Sequence, residues 1–118
     1  MAKPISPKLH GIIDYLTVPL LLAAGPLFQF GGRAAQITST VAGAVLVYSA
    51  ATKYPPGLVK MIPLNIHRMI DVVLAIMFII YPHVFRFPEH SALAFFIGFG
   101  VFSVIVVFLT DFSENGTT

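Results

Sequence analysis

The chain contains no cysteine and no tryptophan, and only 10% of its 118 residues are charged. Without cysteine there is no disulfide framework, no thiolate metal centre and no thiol nucleophile. Without tryptophan, any aromatic belt at a membrane interface must be built from tyrosine and phenylalanine. The charge content lies far below the roughly 25% of ordinary soluble domains. Seven Lys and Arg against five Asp and Glu, with no basic cluster, exclude a nucleic-acid-binding surface. Also missing are a nucleophile–base arrangement with its own orienting acid, a phosphate-binding glycine loop and a metalloprotease helix. The chain therefore reads as non-catalytic.

Hydrophobic residues make up 57% of the chain. They fall into four runs: about Leu9 to Leu27 (interrupted by Pro19), about Ala34 to Ala51, about Ile66 to Tyr81 and about Ala92 to Leu109. Each approaches the ~20 residues that cross a hydrocarbon core, the third being short. A soluble bundle needs a polar face on every helix, and "FFIGFGVFSVIVVFL" offers almost none. In lipid each span must satisfy its own backbone, which favours helices. The expectation is a single all-α transmembrane domain over residues 1–118. Lys3 and Lys8 before an apolar run, and Ala23-Ala24-Gly25 after it, have the outline of a signal peptide. Pro19 and the two ionisable residues within the run fit such a core poorly, so the segment is read as retained.

The connections "FQFGGR" and "FRFPEHS" are short enough for antiparallel hairpins. The middle one, "TKYPPGLVKMIPLN", is longer, and its "GLVKMI" reads as a short turn of surface helix. Residues 113–118 read as a flexible polar tail.

A shift of 57 residues aligns the chain with itself. Ile5 meets Ile62, His10 meets His67, Asp14 meets Asp71, Phe28 meets Phe85 and Gly43 meets Gly100; one step out of register, Thr52-Lys53-Tyr54 meets Thr110-Asp111-Phe112. The recurring His-x-x-x-Asp carries this argument, because His and Asp are rare here. Two tandem units follow, at about 5–54 and 62–112. Each holds an even number of spans, so the units insert in the same direction. Lys3, Lys8, Lys53, Lys60 and Arg68 lie on one side and only Arg33 and Arg86 on the other, which puts both termini in the cytoplasm.

Residues four apart share a helix face. His10 with Asp14, and His67 with Asp71, should therefore turn inward together, since a carboxylate facing lipid is costly. Arg68 adjoins this cluster in sequence. As glue, such contacts contribute about 0.6–2 kcal/mol each and fix which helices pair. The alternatives are a metal ion held by His10, Asp14, His67 and Asp71, haem between His10 and His67, and a minimal proton- or ion-linked transporter. The structural reading stands first, and no cofactor is favoured, a metal ion and haem both being open. His83 and His90 read as wetted loop residues, and Tyr81, Phe28, Phe30, Phe85 and Phe87 as interfacial anchors. Ala35, Ser39 and Gly43 on the second span, with Gly98 and Gly100 on the fourth, read as helix-packing positions, within the monomer or at a homodimer face.

Paired spans with a proline near the far end of the odd helices resemble the SPW-repeat family of small bacterial membrane proteins. The matching segments are Gly25-Pro26-Leu27 and Tyr81-Pro82-His83, in which the prolines alone remain, 56 positions apart. The chain also resembles bacterial four-span proteins with "HG-x-x-D-Y" at the first helix and "T-x-Y-P-x-G" in the connection, here Thr52 to Gly57. The resemblance implies an integral protein of the bacterial cytoplasmic membrane and transfers no catalytic residue. The expected role is a non-catalytic binding or accessory one, with the bilayer as partner and a homo-oligomer or larger membrane complex as context.

Overall fold

The computed structural model describes residues 3–112, so the expected tail at 113–118 lies outside it. Among the described residues the chain forms four helices: α1 Pro7–Phe28, α2 Gly32–Ala50, α3 Leu64–Phe85 and α4 His90–Leu109. α1, α3 and α4 are long and apolar enough to cross a membrane. At 1.5 Å per residue, the 22 residues of α1 and of α3 reach about 33 Å. The molecule's long dimension is 43 Å, close to a bilayer with its headgroups, about 40–45 Å. α2 is less apolar because Arg33, Gln36, Thr38, Ser39, Thr40 and Ser49 interrupt it.

Local chemistry sets the ends. Ser6 caps α1, its hydroxyl accepting from the Leu9 amide at 3.2 Å, and Pro7 follows where its missing N–H is no loss. At the far ends of α1 and α3, Gln29 and Arg86 adopt left-handed backbone, with φ of 61° and 52°. Their amides donate to the carbonyls of Gly25 and Pro82, closing each helix in the manner of a left-handed C-cap. Pro19 does not break α1, which runs unbroken past it. α3 begins and ends beyond the apolar run at 66–81, because Pro63 starts the helix and the Arg86 cap ends it.

The segment 57–62 contains no helical turn, contrary to the reading of "GLVKMI". Its amides are drawn instead to the last carbonyls of α2: Leu58 and Val59 donate to Ala50, and Met61 and Ile62 to Ala51. The connection thus folds back under α2 and supplies partners the helix end lacks. Lys60 Nζ ties it down through the carbonyl of Tyr54 at 2.7 Å.

α1 packs chiefly on α2 and α3 chiefly on α4, while α1 also touches α4. α1 and α3 start, and α2 and α4 finish, at one end of the bundle. Two short bridges mark this end, Ile5 with Thr110 and Thr52 with Ile62. The opposite end is closed by aromatic rings. Phe78 stacks on Phe96 at 4.8 Å between centroids, Phe87 meets Phe96 at 4.8 Å, and Phe30 meets Phe95 at 5.8 Å. Phe30 is therefore a core residue, with Phe87 and Tyr81 packed against that core; Phe28 and Phe85 stay exposed as anchors do. The turn after the Gln29 cap points Phe30 back into the bundle.

Candidate functional site

At the polar end the bundle buries four ionisable side chains together. His10 and His67 are 2% and 0% exposed, and Asp14 and Asp71 are each 8% exposed. The i, i+4 spacing places each pair on one helix face, and the parallel course of α1 and α3 turns the two faces toward each other. The closest contacts cross between the helices. His10 Nε2 lies 2.9 Å from Asp71 Oδ2, and His67 Nε2 lies 3.0 Å from Asp14 Oδ2. The contacts within each helix are longer: 3.5 Å from His10 to Asp14 and 3.2 Å from His67 to Asp71.

The outer nitrogen of each ring is held by a threonine from the other half of the chain. His10 Nδ1 lies 2.8 Å from Thr110 Oγ1, and His67 Nδ1 lies 2.7 Å from Thr52 Oγ1. Each threonine hydroxyl already donates to the carbonyl four residues before it, Thr110 to Val106 at 2.6 Å and Thr52 to Tyr48 at 2.5 Å. A hydroxyl has one proton to donate, so it can only accept from the ring. The network therefore assigns Nδ1–H to both histidines and aims both Nε2 atoms at the carboxylates.

Two tyrosines complete the centre. Tyr48 donates to Asp71 Oδ1 at 2.6 Å, and Tyr54 donates to Asp14 Oδ2 at 2.8 Å. Tyr54 is fully buried in the connection after α2. Burial, with the Asp14 charge beside it, pushes its phenol well above the ordinary tyrosine value, so it remains a proton donor. The rings of Tyr54 and Phe112 pack on His67 and His10 at 5.1 and 5.2 Å. One atom remains awkward. His67 Nε2 is buried and within 3.2 Å of both carboxylates, yet it is aligned with neither for a hydrogen bond. A cavity of about 40 Å³ adjoins the centre on its inner side, bordered by His10, Asp14, Tyr48, Asp71, Thr17 and Ser103.

Arg68 does not join these four. It is exposed, and its guanidinium lies over the Phe112 ring at 6.0 Å. Of the expected packing positions, Gly100 is buried, and a Cβ there would fall 2.7 Å from the Ala75 carbonyl oxygen. Ala35 sits where a Cβ on Gly25 would meet it at 3.3 Å. Ser39, Gly43 and Gly98 are exposed, and a Cβ on either glycine would meet nothing within 4 Å. The buried face of α2 is instead Ala34, Thr38, Val41, Ala42, Val45 and Ser49. His83 and His90 lie exposed on the other end of the bundle.

Sequence reasoning passed over Tyr48, Tyr54, Thr52 and Thr110 as parts of the site. The shifted alignment of Thr52 with Thr110 was a usable signal, since it placed one hydroxyl per unit at the end of each even helix. Comparison with known protein families, with curated proteins and with solved structures returns no match to this chain.

Proposed function

We propose that the chain is a small, non-catalytic integral membrane protein whose binding role resides in the buried His/Asp centre, which also joins its two halves. In this reading α2 is the fourth span, and the units at about 5–54 and 62–112 are copies of one hairpin inserted in the same direction. The prolines behind the SPW-repeat resemblance fall in the last turns of α1 and α3. Both termini face the cytoplasm of a bacterium.

The observation that carries the proposal is the crossed wiring of the centre. Each histidine reaches the other half's aspartate and the other half's threonine. A centre so connected has its main effect on how the halves dock. Its closure argues for binding over turnover: the four side chains are at most 11% exposed. Haem draws no support, because the adjoining space of about 40 Å³ is far smaller than a porphyrin. Transport draws none either, because aromatic rings close the bundle's other end.

Thermal unfolding in detergent tests the organising role. Asp14→Asn with Asp71→Asn should lower the melting temperature markedly; an unchanged value would remove that role. Orientation is tested in this cysteine-free chain by single cysteines at Lys53 and Gly31. A membrane-impermeant maleimide should label them from opposite sides, Lys53 from the cytoplasm.

A further inference from the structure

We propose that the centre is a closed site for one divalent transition-metal ion of the zinc class, bound by Nε2 of His10 and His67 and by one oxygen each of Asp14 and Asp71. The proposal rests on the reading of the centre as a binding element and names what is bound.

Geometry comes first. Four donors around an ion with bonds of about 2.0–2.1 Å stand about 3.3–3.4 Å apart in a tetrahedron. Asp71 Oδ2 lies 2.9 Å from His10 Nε2 and 3.2 Å from His67 Nε2, Asp14 offers Oδ2 at 3.0 Å to His67 and Oδ1 at 3.5 Å to His10, and one donor atom from each of the four residues lies within 4.8 Å of the others. The donor set suits the ion: imidazole nitrogen with carboxylate oxygen, no thiolate, and two negative charges to balance a 2+ cation.

The surroundings make the stronger argument. Metal-binding histidines characteristically donate their other ring N–H to a fixed acceptor, which sets the tautomer and orients the ring. Both histidines here do so, to Thr110 and Thr52, and those hydroxyls are themselves pinned to helix carbonyls. Both carboxylates are held from outside by a tyrosine. The supporting bonds leave both Nε2 atoms and at least one lone pair on each carboxylate free to face the other donors. A hydrogen-bonded quartet also leaves His67 Nε2, on a residue 0% exposed, aimed into the centre without an aligned partner. An ion between the donors gives that nitrogen a bond and removes the exception.

Full-length protein, purified in detergent and stripped with a chelator, is titrated with Zn(II), and with Co(II) read by its d–d absorption. We expect saturation at one ion per chain, a tetrahedral-type Co(II) spectrum displaced by Zn(II), and a rise in melting temperature. Asp14→Asn with Asp71→Asn, shown helical by circular dichroism, should lose saturable uptake. If that pair fails to fold, Thr52→Val with Thr110→Val decides the matter, since it removes no donor. Loss of such outer partners weakens metal affinity by about 10–100-fold, and an unchanged Kd would overturn the proposal. So would wild-type affinity in a folded aspartate variant. A wild-type chain that is folded in chelator but takes up neither ion would overturn the metal site while leaving the organising role standing.

Discussion

The two ends of the bundle join the same pair of hairpins by opposite means. At one end the hairpins meet through charge and hydrogen bonds between named polar atoms. At the other they meet through rings, Phe28 and Phe30 of the first hairpin against Phe95 and Phe96 of the second. In lipid the second kind of contact gains little from leaving its surroundings, because the acyl chains are as apolar as the rings. It works through shape and dispersion, which many side chains of similar volume supply. The polar end tolerates no such exchange: remove one member and its partners are left buried without a counterpart.

That contrast orders the expected effects. The largest should follow Asp71→Ala, which removes the partner of the Tyr48 hydroxyl and of His10 Nε2 and one of the two carboxylates beside His67. A loss of about 3–5 kcal/mol is expected, the range for breaking a buried ion pair from one side, measured by unfolding in mixed detergent. Phe78→Ala, a deletion of comparable burial at the other end, should cost about 2 kcal/mol, below the water-soluble range of about 3–5 because little transfer energy is lost in lipid. Equal losses for the two would erase the distinction between the ends.

Gly11→Ala probes the packing of the α2–α3 connection on α1, since a Cβ there would lie 2.6 Å from Pro56 Cγ. It should cost about 1–3 kcal/mol by overpacking, measured by thermal unfolding. Tyr48→Phe and Tyr54→Phe remove one hydroxyl each from the two aspartates. Single losses of about 0.6–2 kcal/mol are expected for such bonds in a membrane, similar for the two if the halves of the centre are equivalent. The smallest effect belongs to Gly43→Ala and Gly98→Ala. Their Cβ atoms would meet open space, so each should lie within about 0.5–1 kcal/mol of neutral, on the stabilising side from helix propensity. A large loss at either in detergent would give these positions a packing role the monomer does not show.

Legibility in the sequence followed rarity. His10, Asp14, His67 and Asp71 stand out because ionisable groups are scarce in an apolar chain, and i, i+4 spacing then fixes their common face. The helices were legible for the same reason, apart from their caps. The supporting residues were not. Tyr48, Tyr54 and the two threonines are ordinary near helix ends, and what distinguishes them is a partner far away in the chain. Tyr54 reaches Asp14 across 40 positions and Thr110 reaches His10 across 100. The rotation of α2 was also hidden. Small residues occur on two of its faces, and the choice of Thr38 and Ala42 over Ser39 and Gly43 is made by the fit against α1 and the core, which periodicity does not encode.

The hundred positions between His10 and Thr110 have a consequence for biosynthesis. His10 is made a hundred residues before Thr110, the acceptor of its Nδ1 proton. Until the end of α4 has been made, that proton lacks its acceptor and the first hairpin is unfinished. The centre is therefore complete only when all four helices are in place, and its last bond closes at the end of the chain's described part.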